Sequence, residues 1–490
     1  MNVCLVYLDI LGDRSWRGAY SNGVGSLVSV LKKSGIDVSM VHVTQPIRAS
    51  TLVNLLSERR PDLIGFSTTT LGFPYVSAWA GPIKKHLGVP TICGGVHPTL
   101  CPGQSLNVQG VDMICVGEGE RAFVELCEKM KKGSSMTDIA NIWVKKDGEI
   151  FKNPPRPLIG NLDSLPFADP GIFDYKNLNL VSEGKGVVMA SRGCPYNCSY
   201  CCNHAIKMVY QDPSNYVRFR SVDNVIAEIK ELLAQYPFLK SIHFDDDILP
   251  LRKRWFGTFI MKYKKEIAIP FECNIRPDLV TADVVELLAE GGCNQIQIGL
   301  ESGNDFIRQR VLNRNITRQQ LVNAFSLCKK AGIKTYSFNM VGIPFEDPSK
   351  VLQTIKLNAE VQPRVVQSSV LFPFPNTKLH RICKEQNLLT KRSIPGFFVG
   401  STLDLKNLSL NQIVFFKVYF RLLVKLYGFL NMIPSWAARF LTSRLDRLLA
   451  SEIASNTLFP LLVKSYRALE APVKMRRHQL RQMRLSMMRK

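Results

Sequence analysis

The sequence predicts an α/β protein: a Rossmann-like, doubly wound parallel sheet, then a partial (β/α)6 barrel of TIM type, then a helical C-terminal region. Over residues 1–150, short apolar runs, several closed by glycine, alternate with helical patterns, which is the rhythm of a parallel sheet covered on both faces. After a proline-rich break the rhythm resumes as six strand–helix units, too few for a closed eight-stranded barrel. At 490 residues the chain exceeds one ordinary core. Its 46% hydrophobic and 21% charged residues describe a globular chain and exclude a disordered one.

Taken in order, strands are expected at Val3–Ile10, Val38–Val43, Asp62–Ser67, Thr91–Gly95 and Met113–Gly117, with helices near Gly23–Lys33 and Ser77–His86. Sheets of this kind bind ligands beyond the carboxyl ends of their strands. Three of those ends carry small or polar residues: Ser67 and Thr68, then Gly94, Gly95 and His97, then Gly117, Glu118 and Gly119. Residues 151–180 form a linker, because Pro154-Pro-Arg-Pro157 and Ser164-Leu-Pro-Phe-Ala-Asp-Pro170 cannot continue a helix. The barrel occupies 181–390. Its strands are expected at Gly186–Arg192, Ser241–Asp245, Glu272–Ile275, Gln295–Leu300, Lys334–Val341 and Val366–Leu371, with a helix at Val222–Gln235 after the first.

That first barrel strand runs into Gly193-Cys194-Pro-Tyr-Asn-Cys198-Ser-Tyr-Cys201. Gly193 and Pro195 favour a turning backbone, so three thiolates can face one centre. Soft thiolates suit zinc and iron–sulfur clusters. Zinc would want a fourth protein ligand, for which Cys202 and His204 are at hand; a cubane held by three cysteines leaves one iron open. Spacing alone leaves both possibilities standing. The remaining N-terminal cysteines, Cys4, Cys93, Cys101, Cys115 and Cys127, show no ligand spacing, and several sit in apolar runs as small buried hydrophobes.

The Cys194-x-x-x-Cys198-x-Tyr200-Cys201 loop resembles that of the radical SAM superfamily. The resemblance implies a 4Fe-4S cluster on Cys194, Cys198 and Cys201, with S-adenosylmethionine on the open iron and Cys202 as an incidental neighbour. It also implies roles for later strand ends. Asp246 and Asp247 stand where relatives meet the methionyl amino group, and Arg276 could hold the carboxylate. Glu301 and Ser302 lie in a signature strand end near the ribose or the amino group. Gly342 to Glu346 would cradle adenine, and Phe372 to Thr377 would face substrate. The first 150 residues are similar to the cobalamin-binding domain of one large radical SAM class, through the Gly-Gly-Val-His-Pro-Thr and Val-Gly-Glu-Gly-Glu turns. The Asp-x-His-x-x-Gly motif that supplies a lower cobalt ligand in classical cobalamin enzymes is absent, so His97 is expected to be a loop residue beside the cofactor tail and no ligand of cobalt.

Residues 391–490 hold eighteen Lys or Arg against four Asp or Glu, fourteen of the chain's net +23. Leu410–Ile433 has helical periodicity, with Lys417, Arg421 and Lys425 on one face and apolar residues opposite, followed by Trp436. This reads either as a helix packed on the barrel or as an interfacial membrane helix, and no apolar run is long enough to span a bilayer. Lys474–Lys490 adds seven basic residues and no acidic one. The chain begins without the basic and apolar stretches of a signal peptide, which points to a reducing cytoplasm, with peripheral contact at the inner face of the membrane.

These readings together imply a cobalamin-dependent radical SAM enzyme that methylates an unactivated carbon of a lipid-like or other small biosynthetic intermediate, with a flavodoxin- or ferredoxin-type electron donor. An oxidative or cyclising reaction on a porphyrin-type substrate is the alternative. RNA modification is the weaker one, since the basic residues cluster in one tail and no appended stacking domain is visible; no nucleic acid partner is expected.

Overall fold

The computed structural model describes residues 1–11, 15–392, 400–452 and 454–458. The first layer is built on β1 (Asn2–Leu8), α1 (Asn22–Lys33), β2 (Asp37–Val43), α2 (Ala49–Arg59), β3 (Leu63–Ser67) and α3 (Phe73–Leu87). It continues through β4 (Thr91–Gly94), α4 (Val96–Leu100), α5 (Pro102–Leu106), β5 (Met113–Cys115), α6 (Glu120–Lys131), β6 (Ile142–Lys146) and β7 (Glu149–Lys152). The strands form one sheet in the order β2-β1-β3-β4-β5-β6-β7. The first five are parallel, and β6 and β7 join antiparallel. Val3, Cys4, Leu5 and Val6 of β1 are all buried, as expected of a central strand covered on both faces. The chain leaves β1 in one direction and β3 in the other, so a crevice opens between their carboxyl ends.

The β6–β7 hairpin departs from the sequence reading, which ended the regular pattern at Gly148. Its outer strand β7 is short and largely polar, Glu149 to Lys152 being exposed or half-buried, and β6 buries only Ile142 and Val144, too short a period to stand out. Residues 151–180 are also more than a connection. Ile159, Leu162, Phe173, Tyr175 and Leu178 are buried, and Phe173 packs edge-on against Tyr7 and Tyr20. This strap lays one continuous apolar core across both sheets.

The second sheet comprises β8 (Lys185–Val188), β11 (Ser241–Phe244), β12 (Phe271–Ile275), β13 (Cys293–Glu301), β14 (Lys334–Val341) and β15 (Val365–Val370), all parallel and in chain order. That is the open six-stranded barrel. Gly186 to Arg192 is not one strand: after β8 the chain breaks, and β9 (Ser191–Arg192) pairs antiparallel with β10 (Arg218–Phe219). The short α7 (Asn203–Lys207) follows the cysteine loop, and α8 (Val222–Gln235) begins at Ser221, whose hydroxyl accepts from the Asn224 amide. Helices α9 (Lys253–Glu266), α10 (Ala282–Glu290), α11 (Arg318–Lys330) and α12 (Pro348–Val361) cover the outside. Beyond β15 lie α13 (Lys378–Glu385), α14 (Leu410–Leu430) and α15 (Ser435–Ala450). Among the described residues no helix is long and apolar enough to cross a membrane. The basic stretch 474–490 lies outside the described residues.

Candidate active site

The carboxyl ends of both sheets face one cavity of about 490 Å³. On one side are Tyr7, Ser67, Gly94 and Gly117 at the ends of β1, β3, β4 and β5, with Asn22 at the start of α1. This is where the switch in strand order opens the sheet. On the other side are Met189 to Gly193, leading into the cysteine loop, and Asp245 and Asp247 beyond β11. Ser67, Thr68, Gly94, Gly95, Gly117, Glu118 and Gly119, from the three turns, all border it. Gly95 has φ +105°, and a Cβ there would stand 2.5 Å from the Thr68 carbonyl oxygen, so the turn requires glycine. The Asn22 amide nitrogen is buried without a partner at this cavity, a donor available to a ligand. Apolar walls from Leu5, Val24 and Ile92, small turn residues and an unsatisfied donor fit the tail of a bulky cofactor such as cobalamin.

Two residues assigned to this site do other work. His97 lies on the buried helix α4 and does not border the cavity. Its ring stacks on Phe73 with centroids 4.0 Å apart, Nδ1 is 3.3 Å from the Thr70 hydroxyl, and burial lowers its pKa to about 4. Where the sequence predicts a loop, the chain coils at once after Gly95 and swings the ring into the core. Glu118 borders the cavity with its carboxylate already engaged. Arg192 and Arg218 donate to Oε1 at 3.0 and 2.9 Å, and the Ile159 amide donates to Oε2 at 2.9 Å. Next to it, Arg192 donates to buried Glu120 at 2.6 Å. These ions tie the last glycine turn of the first sheet to the strand that starts the cysteine loop.

In the loop itself, Gly193 has φ +87°, and a Cβ would lie 2.3 Å from the Tyr216 carbonyl oxygen. The chain can only turn here with glycine. Burial, with added repulsion from Asp247 and then from Cys201 and Cys198, pushes the Cys194 thiol up to about 12. Burial also raises Cys198, against the pull of Arg314 and Arg276. A hydrogen bond from Cys202 brings Cys201 down to about 7. Cys202 is therefore a partner of Cys201, and His204 accepts from the Lys378 amide at 3.1 Å. Among the described residues no three His, Cys, Asp or Glu side chains converge as ligands of one metal ion. Cluster thiolates each take a different iron and need not meet at a point. Three neighbouring thiols, two of them flanked by cationic or amide donors, fit a 4Fe-4S cluster on Cys194, Cys198 and Cys201.

Around the loop, Asp247 accepts from the Asn203 amide at 3.0 Å and borders the cavity. Asp246 does not. It is fully buried, accepts from the Ala190 amide at 3.0 Å and from the Ser191 hydroxyl, and burial lifts its pKa to about 7. The alternation that aims Asp247 outward turns Asp246 inward as a brace under β9. Ser302 is likewise fully buried, its hydroxyl accepting from the Asn304 amide in the turn after β13, so it holds backbone. Arg276 keeps one nitrogen 3.6 Å from the Cys198 sulfur, lies over the Tyr196 ring and spends its fork on Asp278 at 2.9 and 3.1 Å. Glu301, in left-handed backbone at φ +65°, accepts from the Tyr200 hydroxyl at 3.1 Å.

Sequence reasoning missed Arg314. Its guanidinium reaches the Tyr200 hydroxyl at 3.1 Å, the Gly299 carbonyl at 2.7 Å and the Cys198 sulfur at 4.0 Å. No spacing announces it, since it arrives from an irregular turn after the residues of interest. Asn203, two residues past the last cysteine, was within reach of the motif and was also overlooked.

Residues 188–357 match the Radical SAM superfamily, and residues 19–127 match the B12 binding domain. An uncharacterized methyltransferase of Pyrococcus horikoshii is 28% identical over 75% of this chain and 79% of its own length. The anaerobic magnesium-protoporphyrin IX monomethyl ester cyclase of Rubrivivax gelatinosus is 24% identical over 73% of this chain and 65% of its own. Among solved structures, the radical S-adenosylmethionine methyltransferase TsrM of Kitasatospora setae superposes with a TM-score of 0.64 at 18% identity, covering 79% of this chain and 76% of that one, a likeness of fold.

Proposed function

Starting from a chain that belongs to the radical SAM superfamily and carries a B12-binding domain ahead of its core, we propose that it transfers a methyl group to an unactivated carbon of a lipid-like or other small biosynthetic intermediate. The observation that carries this reading is the shared cavity: the glycine turns of the first sheet and the residues leading into the cysteine loop border the same space. When bound, the cluster with S-adenosylmethionine supplies one-electron chemistry that removes hydrogen from carbon, and cobalamin supplies a transferable methyl group. The chain's own residues do the positioning. Cys194, Cys198 and Cys201 would hold the cluster; Asp247 offers a carboxylate at the cavity for an ammonium; Asn22 and the glycine turns would seat the cobalamin tail. Arg276 and Arg314 place positive charge beside Cys198, which favours its thiolate.

An electron donor of flavodoxin or ferredoxin type and a peripheral membrane contact belong to the same reading. The first is supported by the need to reduce a cluster, the second by the outward face of α14 and α15. Oxidative cyclisation is the second reading, supported by the similarity to the Rubrivivax cyclase.

Feeding methyl-deuterated methionine to cells with and without the gene separates the two. Methyl transfer predicts a gene-dependent product that carries all the label of one methyl group. A gene-dependent product without label contradicts it and favours oxidation.

A further inference from the structure

The two C-terminal helices divide their apolar residues between two faces. On α14 one row, including Ile413, Phe416, Phe420 and Tyr427, is buried against the barrel. The packing is specific: Arg421 Nε donates to the Val366 carbonyl at 2.6 Å, and the Ser368 hydroxyl donates to the Lys417 carbonyl at 3.3 Å. Both bonds join α14 to β15, the terminal strand of the six-stranded sheet, so this helix covers the open edge of the barrel. That face needs no further partner.

A second row points the other way. Val418, Leu422, Leu426 and Phe429 follow at steps of four, four and three and are exposed, Phe429 at 62%. Past the turn at Pro434, α15 also exposes apolar residues, among them Trp436, Phe440 and Leu448, Trp436 at 73%. Isolated exposed apolar residues are ordinary; a row of four on one helix, with large exposed apolar side chains on the next, marks an interaction surface. Its charge identifies the partner. Lys425, Arg439, Arg444 and Arg447 are exposed on the same two helices, and Arg444 lies over the Phe440 ring. The single acidic residue on α14 and α15, Asp446, is paired with Lys356, which leaves these two helices basic. A large aromatic and aliphatic stripe flanked by Lys and Arg is the composition of a helix that lies in the headgroup region of anionic lipid.

We propose that α14 and α15 form the docking surface by which this enzyme lies on an anionic bilayer, the apolar stripe entering the headgroup layer and the flanking cations facing lipid phosphate. This deepens the membrane part of the reading above and rests on it.

Flotation of the full chain with vesicles of phosphatidylcholine, with or without phosphatidylglycerol, tests this. The decisive variant combines Leu422→Gln, Phe429→Gln, Trp436→Gln and Phe440→Gln. All four side chains are exposed, so an unchanged melting temperature is expected and serves as the control for folding. Wild type should float with the anionic vesicles, and the variant should lose roughly tenfold or more in apparent affinity. A Lys425→Glu, Arg439→Glu, Arg444→Glu variant should lose binding to anionic vesicles alone. Equal flotation of wild type and the glutamine variant overturns this surface while leaving membrane contact through the basic stretch 474–490. Wild type that does not float overturns both. A dimer that the glutamine variant reduces to monomer assigns the stripe to a second copy of the chain and overturns the proposal.

Discussion

Cys198 lies between two guanidinium groups, with Arg276 at 3.6 Å and Arg314 at 4.0 Å from its sulfur. A cation beside a cluster ligand favours the more negative, reduced state. Arg314→Gln should therefore move the cluster midpoint to more negative potential, with Arg314→Lys restoring most of it; a redox titration followed by electron paramagnetic resonance reads the change. Replacing Cys194, Cys198 and Cys201 together by alanine should abolish iron binding and cleavage of S-adenosylmethionine while leaving a folded chain that still binds cobalamin. Asp246 gives a pH test. Its pKa is raised to about 7 by burial, so between the ordinary carboxylate range and about 7 the folded state holds a proton that the unfolded chain has released. Stability from this group is full at lower pH and is lost as pH rises through 7. Asp246→Asn should flatten that decline in denaturant melts at pH 5, 6, 7 and 8. The same residue shows what a sequence can and cannot convey. Three adjacent acids after β11 marked an acidic strand end, but which of them faces the cavity depends on the pleat and on the break between β8 and β9. Arg314 was illegible for a different reason: its role comes from a turn with no periodicity to read.

At the scale of elements, the strands were legible because parallel strands buried on both faces are continuous apolar runs, and β1, β3 and β14 fall where those runs predict. The β6–β7 hairpin was not, since a mostly polar edge strand looks like loop. Nor was the coupling between the sheets. Glu118 and Glu120 are far in sequence from Arg192 and Arg218 and meet them only because the glycine turn and the β9–β10 pair are brought face to face. Glu120 is 5% exposed, its carboxyl desolvated but held below the usual range by Arg192. Glu120→Ala should destabilise the chain by about 3 kcal/mol, because it leaves the Arg192 charge poorly compensated. Glu120→Leu with Arg192→Met should cost much less than the two single changes added, a coupling that a double-mutant cycle of denaturant melts measures directly. For α14 the sequence left two readings; one face is packed on the barrel, and the opposite face, with exposed Phe429, carries the membrane contact proposed above.

Across the whole molecule, the strap 151–180 and the ion pairs fix two sheets so that both open on one cavity. Domain order was readable from motif order, but their sharing of a cavity was not, since it depends on how the second sheet is turned against the first. The proposed chemistry needs both cofactors at that cavity. Electron paramagnetic resonance of the full chain, loaded with cobalamin in its paramagnetic cobalt(II) state and a reduced cluster, tests this most directly. The account predicts spin–spin broadening of both signals, relieved in the triple-alanine variant that lacks the cluster. Two unperturbed spectra that simply add, at full occupancy of both cofactors, would contradict it.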